Sequence, residues 1–299
     1  MSSQNVLITG GTGFLGRNLL RLLESDLQFN LTVISRKDIK STNSRISFIQ
    51  PKESEISKYF SRHSSPIVVH LATEYGRGDV DSVAKKVMDV NIVLPSMILG
   101  ESSANPPSLF INCDSYYLKV GNERLALRSY VDSKLKFRKI LNQDFGFIDS
   151  VTLQFEHIYG PEDSLEKFVP MIVSTALTHA KEIDLTGCEQ QRDFLFVEDA
   201  ASAIILMMKN QMNSSNWAKV VEVGTGQTTS LMELVNLVIA ESDSKLIPNF
   251  GALPYISGEI GFSVANSETL IKLGWAPMVS LKNGIRKTIN YYKGSVNQG

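Results

Sequence analysis

The pattern best suited to chemistry is Tyr130-Val131-Asp132-Ser133-Lys134, a phenol and an ammonium four residues apart. On a helix these two share one face, one turn from each other. A neighbouring ammonium favours phenolate, so the spacing predicts a Tyr130 whose pKa is lowered toward working pH. Such a tyrosine passes a proton to or from a carbonyl–alcohol pair. The same spacing also occurs on ordinary surface helices, so its place in the chain decides its meaning. A hydrogen-bonding partner for the reacting oxygen is expected just upstream, in Asn112-Cys113-Asp114-Ser115-Tyr116-Tyr117. Ser115 is the first choice, with Asp114 and Cys113 as rivals; the plain alternative for Ser115 is a turn serine.

A second feature stands near the start. Gly10-Gly11-Thr12-Gly13-Phe14-Leu15-Gly16 follows an apolar strand and opens a helical stretch. In a G-x-x-G-x-x-G loop the first glycine permits the turn, the second lets backbone approach a pyrophosphate, and the third lets the helix sit close on the sheet. Gly10, Gly13, Phe14, Leu15 and Gly16 are therefore expected to hold a dinucleotide. An NAD site places a carboxylate at the end of the second strand. Here the run is Ser35-Arg36-Lys37, two cations and a hydroxyl suited to a 2′-phosphate, so NADP(H) is favoured over NAD. A solvated strand end is the alternative, more so for Lys37 than for Arg36.

These groups need a scaffold, and the chain supplies strands alternating with helices. Strands are expected at 5–9, 31–34, 46–49, 66–71 and 109–112, with helices over 14–27, 79–100 and 125–142. That alternation predicts an α/β, Rossmann-type doubly wound parallel sheet. Beyond it, strands are expected at 150–155, 183–185, 194–197 and 220–223, and helices over 169–180, 198–209, from about 230, and ending at Tyr291-Tyr292. The pattern changes near 150–160. We read residues 1–155 as the cofactor domain and 156–299 as mainly a smaller, interwoven C-terminal α/β substrate domain, with strands returning to the first sheet.

Composition narrows the partners. Thirty Lys+Arg against 31 Asp+Glu leave a net charge of −1, without the basic excess that nucleic acid or an anionic membrane requires. No apolar run approaches the ~18 residues of a membrane span. The N-terminus reads as the first strand and not as a secretory signal. Two cysteines, Cys113 and Cys188, make neither a disulfide framework nor a zinc site, and no metal is expected. A reducing cytoplasm is the expected location.

Together the motifs resemble those of the extended short-chain dehydrogenase/reductases that act on nucleotide-activated sugars. The likeness runs through Gly10 to Gly16, His70-Leu71-Ala72-Thr73, Asn91, the Ser115/Tyr130/Lys134 set and Tyr159-Gly160-Pro161. It continues through Arg192-Asp193-Phe194, Val223-Gly224-Thr225-Gly226 and Leu273-Gly274-Trp275-Ala276-Pro277. The resemblance implies a Rossmann domain for the nicotinamide cofactor and a C-terminal domain for the nucleotide sugar. It implies that Leu71, Ala72, Thr73 and Asn91, with Tyr130 and Lys134, serve the cofactor. It implies Ser115, Tyr130 and Lys134 as catalytic residues, and Tyr75, Ser115, Tyr116, His157 and Arg192 as substrate contacts, Arg192 facing the diphosphate. The chain departs from the family at Gln154 and His157, where arginine and asparagine are frequent, and over 256–266, which lacks the usual arginines.

Three reactions share this scaffold. A 4,6-dehydratase of the family carries Asp-Glu after the strand-five hydroxyl, where this chain has Tyr116-Tyr117. A 4-epimerase typically uses NAD, against which the end of the second strand argues. The expected activity is therefore NADPH-dependent reduction of the 4-keto group of a nucleotide-linked 6-deoxy- or 3,6-dideoxyhexose. The segments His70 to Arg77 and Phe155 to Pro161 are similar to those of 4-ketoreductases of deoxysugar biosynthesis, the chemistry behind lipopolysaccharide O-antigens. A 4-epimerase and a non-catalytic NADP-binding regulatory protein are the alternatives. A homodimer is expected through the helices after strands four and five, where Val87, Met88, Val93, Leu94 and Met97 permit either pairing or core packing.

Overall fold

The computed structural model describes residues 3–76, 81–119, 127–178, 180–210, 219–255 and 257–296. The chain divides into two compact units, 1–154 with 201–221, and 155–200 with 222–299. Each is taken in turn.

In the first unit β1 (Gln4–Thr9), α1 (Phe14–Leu23), β2 (Phe29–Ile34) and β3 (Ile46–Ile49) are followed by α2 (Glu53–Arg62) and β4 (Ile67–His70). Then come α3 (Asp81–Met88), α4 (Leu94–Glu101), β5 (Leu109–Ser115), α5 (Arg128–Gln143) and β6 (Ser150–Phe155). A seven-stranded sheet has the order β11-β6-β5-β4-β1-β2-β3, where β11 is Val220–Val223 from the second half of the chain. The pairings of β1 with β2 and β4, of β2 with β3, and of β4 with β5 all run parallel. The central strands are apolar at consecutive positions (Val6, Leu7, Ile8 and Ile67, Val68, Val69, all fully buried) because helices cover both faces. On one face Leu7, Val68 and Phe110 pack with Ile56 and Phe60 of α2, Ile98 of α4 and Phe137 of α5.

The structure corrects the expected elements in three places. Helix α2, absent from the sequence reading, joins β3 to β4. Parallel strands of one sheet need such a crossover even when, as here, they are not neighbours, and Ile56, Tyr59 and Phe60 form its buried stripe. The single helix expected over 79–100 is α3 and α4 joined by a π-helical turn, Asp89–Val93. Pro95 explains the turn: it has no N–H for the carbonyl four residues back, and its ring crowds that carbonyl. Asp79 and Val80 lie outside the described residues. Strand β5 runs on to Ser115, three residues past the expected end, and so delivers that hydroxyl itself. Of the apolar residues offered for pairing, Val87, Leu94 and Met97 pack inward, while Met88 and Val93 are exposed.

The second unit is built from short pairs: β7 (His157–Tyr159) with β10 (Phe194–Phe196), β8 (Glu182–Leu185) with β13 (Ile247–Phe250), and β9 (Gln191–Arg192) with β12 (Thr229–Ser230). Its helices are α6 (Phe168–Ala176), α7 (Val197–Lys209, which continues into the first unit), α8 (Leu231–Ser242), α9 (Glu268–Lys272) and α10 (Leu281–Val296). Helix α8 starts with a reciprocal capping box between Ser230 and Glu233. Among the described residues no helix is long and apolar enough to cross a membrane.

His70 closes β4 wholly buried, sharing a 2.8 Å hydrogen bond with Thr9 and flanked by the Phe110 and Phe137 rings. Burial, and then the charge of Lys134, push its pKa well below the usual histidine value. The unfolded chain takes up a proton near pH 6.5 and the fold does not, so stability is full above that pH and falls as pH drops. Urea unfolding should show the stability difference between wild type and His70→Leu narrowing by about 2 kcal/mol from pH 7 to pH 5. A pH-independent difference would refute the assignment.

Candidate active site

Strand order reverses between β1 and β4, and ligands of such sheets bind beyond the carboxyl ends of the strands at that point. There the loop after β1 and the segment Leu71-Ala72-Thr73 touch. Gly10 has φ +69°, and a Cβ on it would stand 2.6 Å from the Ala72 nitrogen. A Cβ on Gly16 would stand 2.2 Å from the Gly10 carbonyl oxygen. Thr9 joins the two loops, its Oγ1 accepting from the Ala72 N–H at 3.1 Å. Gly13 begins α1 with no side-chain cap, and the first turn holds no acidic residue. A glycine cradle leading into a helix start of this kind fits a pyrophosphate.

The ribose end of a dinucleotide would lie past β2. Ser35 is buried and its hydroxyl accepts from the Lys37 N–H at 3.1 Å, which pins the turn. Arg36 and Lys37 are exposed, and neither side chain has an ion-pair partner among the described residues. Asp38, next in the chain, is exposed as well. The donor set fits a 2′-phosphate.

Asn91 organises the segment that follows β4. Carried inward on the π-helical turn and fully buried, it accepts from the Glu74 N–H (2.8 Å) and the Thr73 hydroxyl (3.4 Å). Its amide donates to the Glu74 carbonyl (3.0 Å) and to Ser133 Oγ (2.9 Å), and Ser133 donates to the Tyr130 carbonyl (2.7 Å). Tyr75 is thereby laid on Tyr130, the rings stacked 4.6 Å apart. Tyr130 is buried in α5, and Ser115 and Tyr75 are the hydroxyl-bearing side chains that act on its phenol. The structure thus brings Ser115, Tyr130, Tyr75 and, one turn along α5, Lys134 together.

The expected lowering of the Tyr130 pKa is not found. Burial pushes it well above the usual tyrosine value, the charges of Tyr75 and Asp114 add to that, and the Ser115 hydrogen bond opposes it. Lys134 does not offset that burial. Its ammonium, itself buried, donates to the Cys113 carbonyl at 2.8 Å and sits 3.6 Å from Asp114 Oδ1, so its field is answered locally. The sequence reading also missed Arg138, whose Nε and Nη2 grip Asp114 Oδ2 at 3.0 and 2.7 Å. The signal was present: 130, 134 and 138 share one helical face. Asp114, a rival to Ser115 for the reacting oxygen, is instead wholly engaged with these cations. Cys113, the other rival, lends its carbonyl to Lys134, and burial pushes its thiol pKa up. Tyr116 is buried and stacks on Tyr117 at 4.3 Å.

In the second unit His157 packs edge-on against Phe194, and burial, helped by Lys167 and Arg192, pushes its imidazole down to about 3. It is neutral at physiological pH. Arg192 is buried, donating to the carbonyls of Gln191 (2.9 Å) and Ile260, with Glu259 at 3.9 Å. Beside it lies a cleft of about 310 Å³ lined by Glu189, Gln190, Tyr255 and Glu259. Gln190 is buried there, and among the described residues neither of its amide atoms is hydrogen-bonded.

The chain belongs to the NAD dependent epimerase/dehydratase family, whose model matches residues 6–224. This is the extended short-chain dehydrogenase/reductase class of enzymes. It is 30% identical to the CDP-abequose synthase of Salmonella muenchen over 96% of this chain and 98% of that one. It is 23% identical to a putative UDP-glucose 4-epimerase of Methanocaldococcus jannaschii over 96% and 98%. Its fold is shared with a UDP-glucose-4-epimerase of Stenotrophomonas maltophila solved with NAD and formylated UDP-arabinopyranose (TM-score 0.85, 19% identity, 99% and 100% covered). The UDP-glucose 4-epimerase of Thermotoga maritima with UDP-glucose is similar too (TM-score 0.81, 21% identity, 98% and 100% covered).

Asn91→Ala strands buried partners on two elements. It should cost about 2–4 kcal/mol in urea unfolding, well beyond a typical surface change. A loss under about 0.5 kcal/mol would mean that Asn91 does not organise this segment.

Proposed function

We propose that this protein is an NADPH-dependent 4-ketoreductase of a nucleotide-linked deoxyhexose. One observation carries the reading: a buried phenol, stacked on Tyr75 with the buried Ser115 hydroxyl acting on it, at the carboxyl end of a sheet whose glycine loop fits a dinucleotide. A proton donor, not a base, is what reduction of a carbonyl demands at neutral pH. The 30% identity to CDP-abequose synthase over nearly the whole chain supports the substrate class, with a CDP-linked sugar the first to test.

When bound, reduced cofactor supplies hydride to the carbonyl carbon. Tyr130 gives its phenolic proton to the oxygen that becomes the alcohol, and Ser115 hydrogen-bonds that oxygen. Lys134 keeps positive charge one turn from the phenolate left behind, where charge develops. Ser35, Arg36 and Lys37 take the 2′-phosphate; Gly10, Gly13, Phe14, Leu15 and Gly16 the pyrophosphate; and Leu71, Ala72, Thr73 and Asn91 line the same cofactor. In the first unit Tyr75 and Tyr116 are the side chains we assign to the sugar; in the second, taken by itself, His157 and Arg192 are those we assign to the nucleotide. A neutral His157 contributes a hydrogen bond and no charge, and the unpaired amide of Gln190 suits the polar edge of a base. Exposed Met88, Val93 and Leu135, on or beside the helices after β4 and β5, fit a homodimer.

Tyr130→Phe should lower kcat on an NDP-4-keto-deoxyhexose by about 10²–10⁴-fold while NADPH still binds. A variant that keeps most of its activity sinks the assignment. NAD that co-purifies tightly would favour a 4-epimerase, and no turnover across the panel would favour a regulatory protein.

Arg36→Ala should weaken NADPH by about 10–100-fold and leave NADH nearly unchanged, because a charge-assisted contact contributes about 1.5–3 kcal/mol. Fluorescence titration reads both constants. Equal losses for the two nucleotides would remove the argument for NADP.

A further inference from the structure

The assigned chemistry uses Lys134 but gives no part to Asp114 and Arg138, the two charged side chains clustered with it in the first unit. The Asp114 side chain has no exposure at all, and that of Lys134 has 1%. One carboxylate thus stands between two cations. Asp114 Oδ2 takes two bonds from Arg138, while Oδ1 has no hydrogen bond and lies 3.6 Å from the Lys134 ammonium. Arg138 Nη2 also donates to Gln154 Oε1 at 3.1 Å, so β5, α5 and β6 meet at one guanidinium. Gln154 occupies the place where the resembling family often has an arginine; here the guanidinium arrives from α5 instead.

A buried carboxylate is costly unless held on several sides. Arg138, itself held by Gln154, grips this one through Oδ2 and leaves Oδ1 facing Lys134. We propose that Asp114 and Arg138 are a positioning pair for Lys134, a clamped carboxylate that fixes the ammonium and sets how much of its charge reaches Tyr130. The inference rests on the reading of Tyr130 and Lys134 as the proton-handling groups. The charged and titratable groups around them are His70 at the end of β4, Tyr75 in the segment that follows, Cys113 and Asp114 on β5, and Arg138 on α5. Ser115 and Gln154 are uncharged. Of the charged neighbours, Asp114 acts directly on Tyr130 to keep its proton on.

The test is a titration of Tyr130 itself, by NMR of protein carrying ¹³C at tyrosine Cζ, with the resonance assigned by its loss in Tyr130→Phe. The double variant Asp114→Asn/Arg138→Gln keeps a polar pair of similar shape, removes one charge of each sign and leaves Lys134 as the charge of the cluster. In it Tyr130 should titrate about one unit or more below wild type, because the anion beside the ammonium is gone. Should the amide pair not fold, Asp114→Leu/Arg138→Met, an apolar pair of similar size, carries the same expectation. Arg138→Gln alone leaves the carboxylate charged, so there the phenol should keep its proton to at least the wild-type pH. A titration unchanged in the folded double variant would reduce the pair to a structural bridge. A lowering of equal size in Arg138→Gln alone would reduce it to a loosened, wetter site. The measurement needs no substrate: a Tyr130 that shifts as stated in a protein without reductase activity overturns the proposed reaction and leaves the pair standing.

Discussion

Backbone packed on backbone at the carboxyl ends of β1 and β4 is the constraint on which the first unit depends. Only a residue without a side chain lets the turn after β1 meet the Leu71–Thr73 segment, and only another lets α1 close on that turn. Thr9 then bridges the two loops through its hydroxyl and, through His70, ties them to the core. With these loops in place Asn91 can bond to the 73–74 backbone, Tyr75 comes down on Tyr130, and the phenol meets Ser115. A widening of half an ångström at Gly10 would be transmitted to every one of these contacts, because interiors at native density have no slack to absorb it.

The electrostatics follow from the same closeness. Tyr130, Lys134 and Arg138 present one face of α5 to the end of β5, and Asp114 answers two of the three. A bare Tyr–Lys pair on a wet helix would lower the phenol. Here burial first, and then the Asp114 carboxylate beside the ammonium, reverse the sign. The reversal bears on the direction of chemistry, since a proton held firmly is available for donation to an oxygen that is acquiring charge.

What could be read beforehand was whatever is local in the chain. The glycine spacing, the phenol–ammonium spacing and most strands of the first unit are signals contained within a dozen residues. What could not be read is assembled from distance. Asn91 meets Ser133, Asp114 meets Arg138, and Arg138 meets Gln154, across 42, 24 and 16 positions respectively. The partner of Arg138 lies on a strand, so nothing near it in the sequence names it. Strands β7 and β13 exist only through their pairing with β10 and β8. The sign of the Tyr130 shift was missed for a related reason: spacing identifies a neighbour but not the burial of the pair. The break in the long helix at 89–93 was legible in Pro95 and was passed over.

Strand β11 has a consequence for how the chain is made. Synthesis from the N-terminus finishes β6 at Phe155, but the strand that covers its outer edge ends only at Val223, and the first of its hydrogen bonds runs from Thr152 to the Lys219 carbonyl. Until the ribosome has extended the chain by a further 68 residues, the sheet carries an open edge with unpaired N–H and C=O groups. The nascent first unit is therefore in greatest danger of pairing with another chain during that interval, and a premature stop between these two strands would leave an adhesive fragment and not a working half.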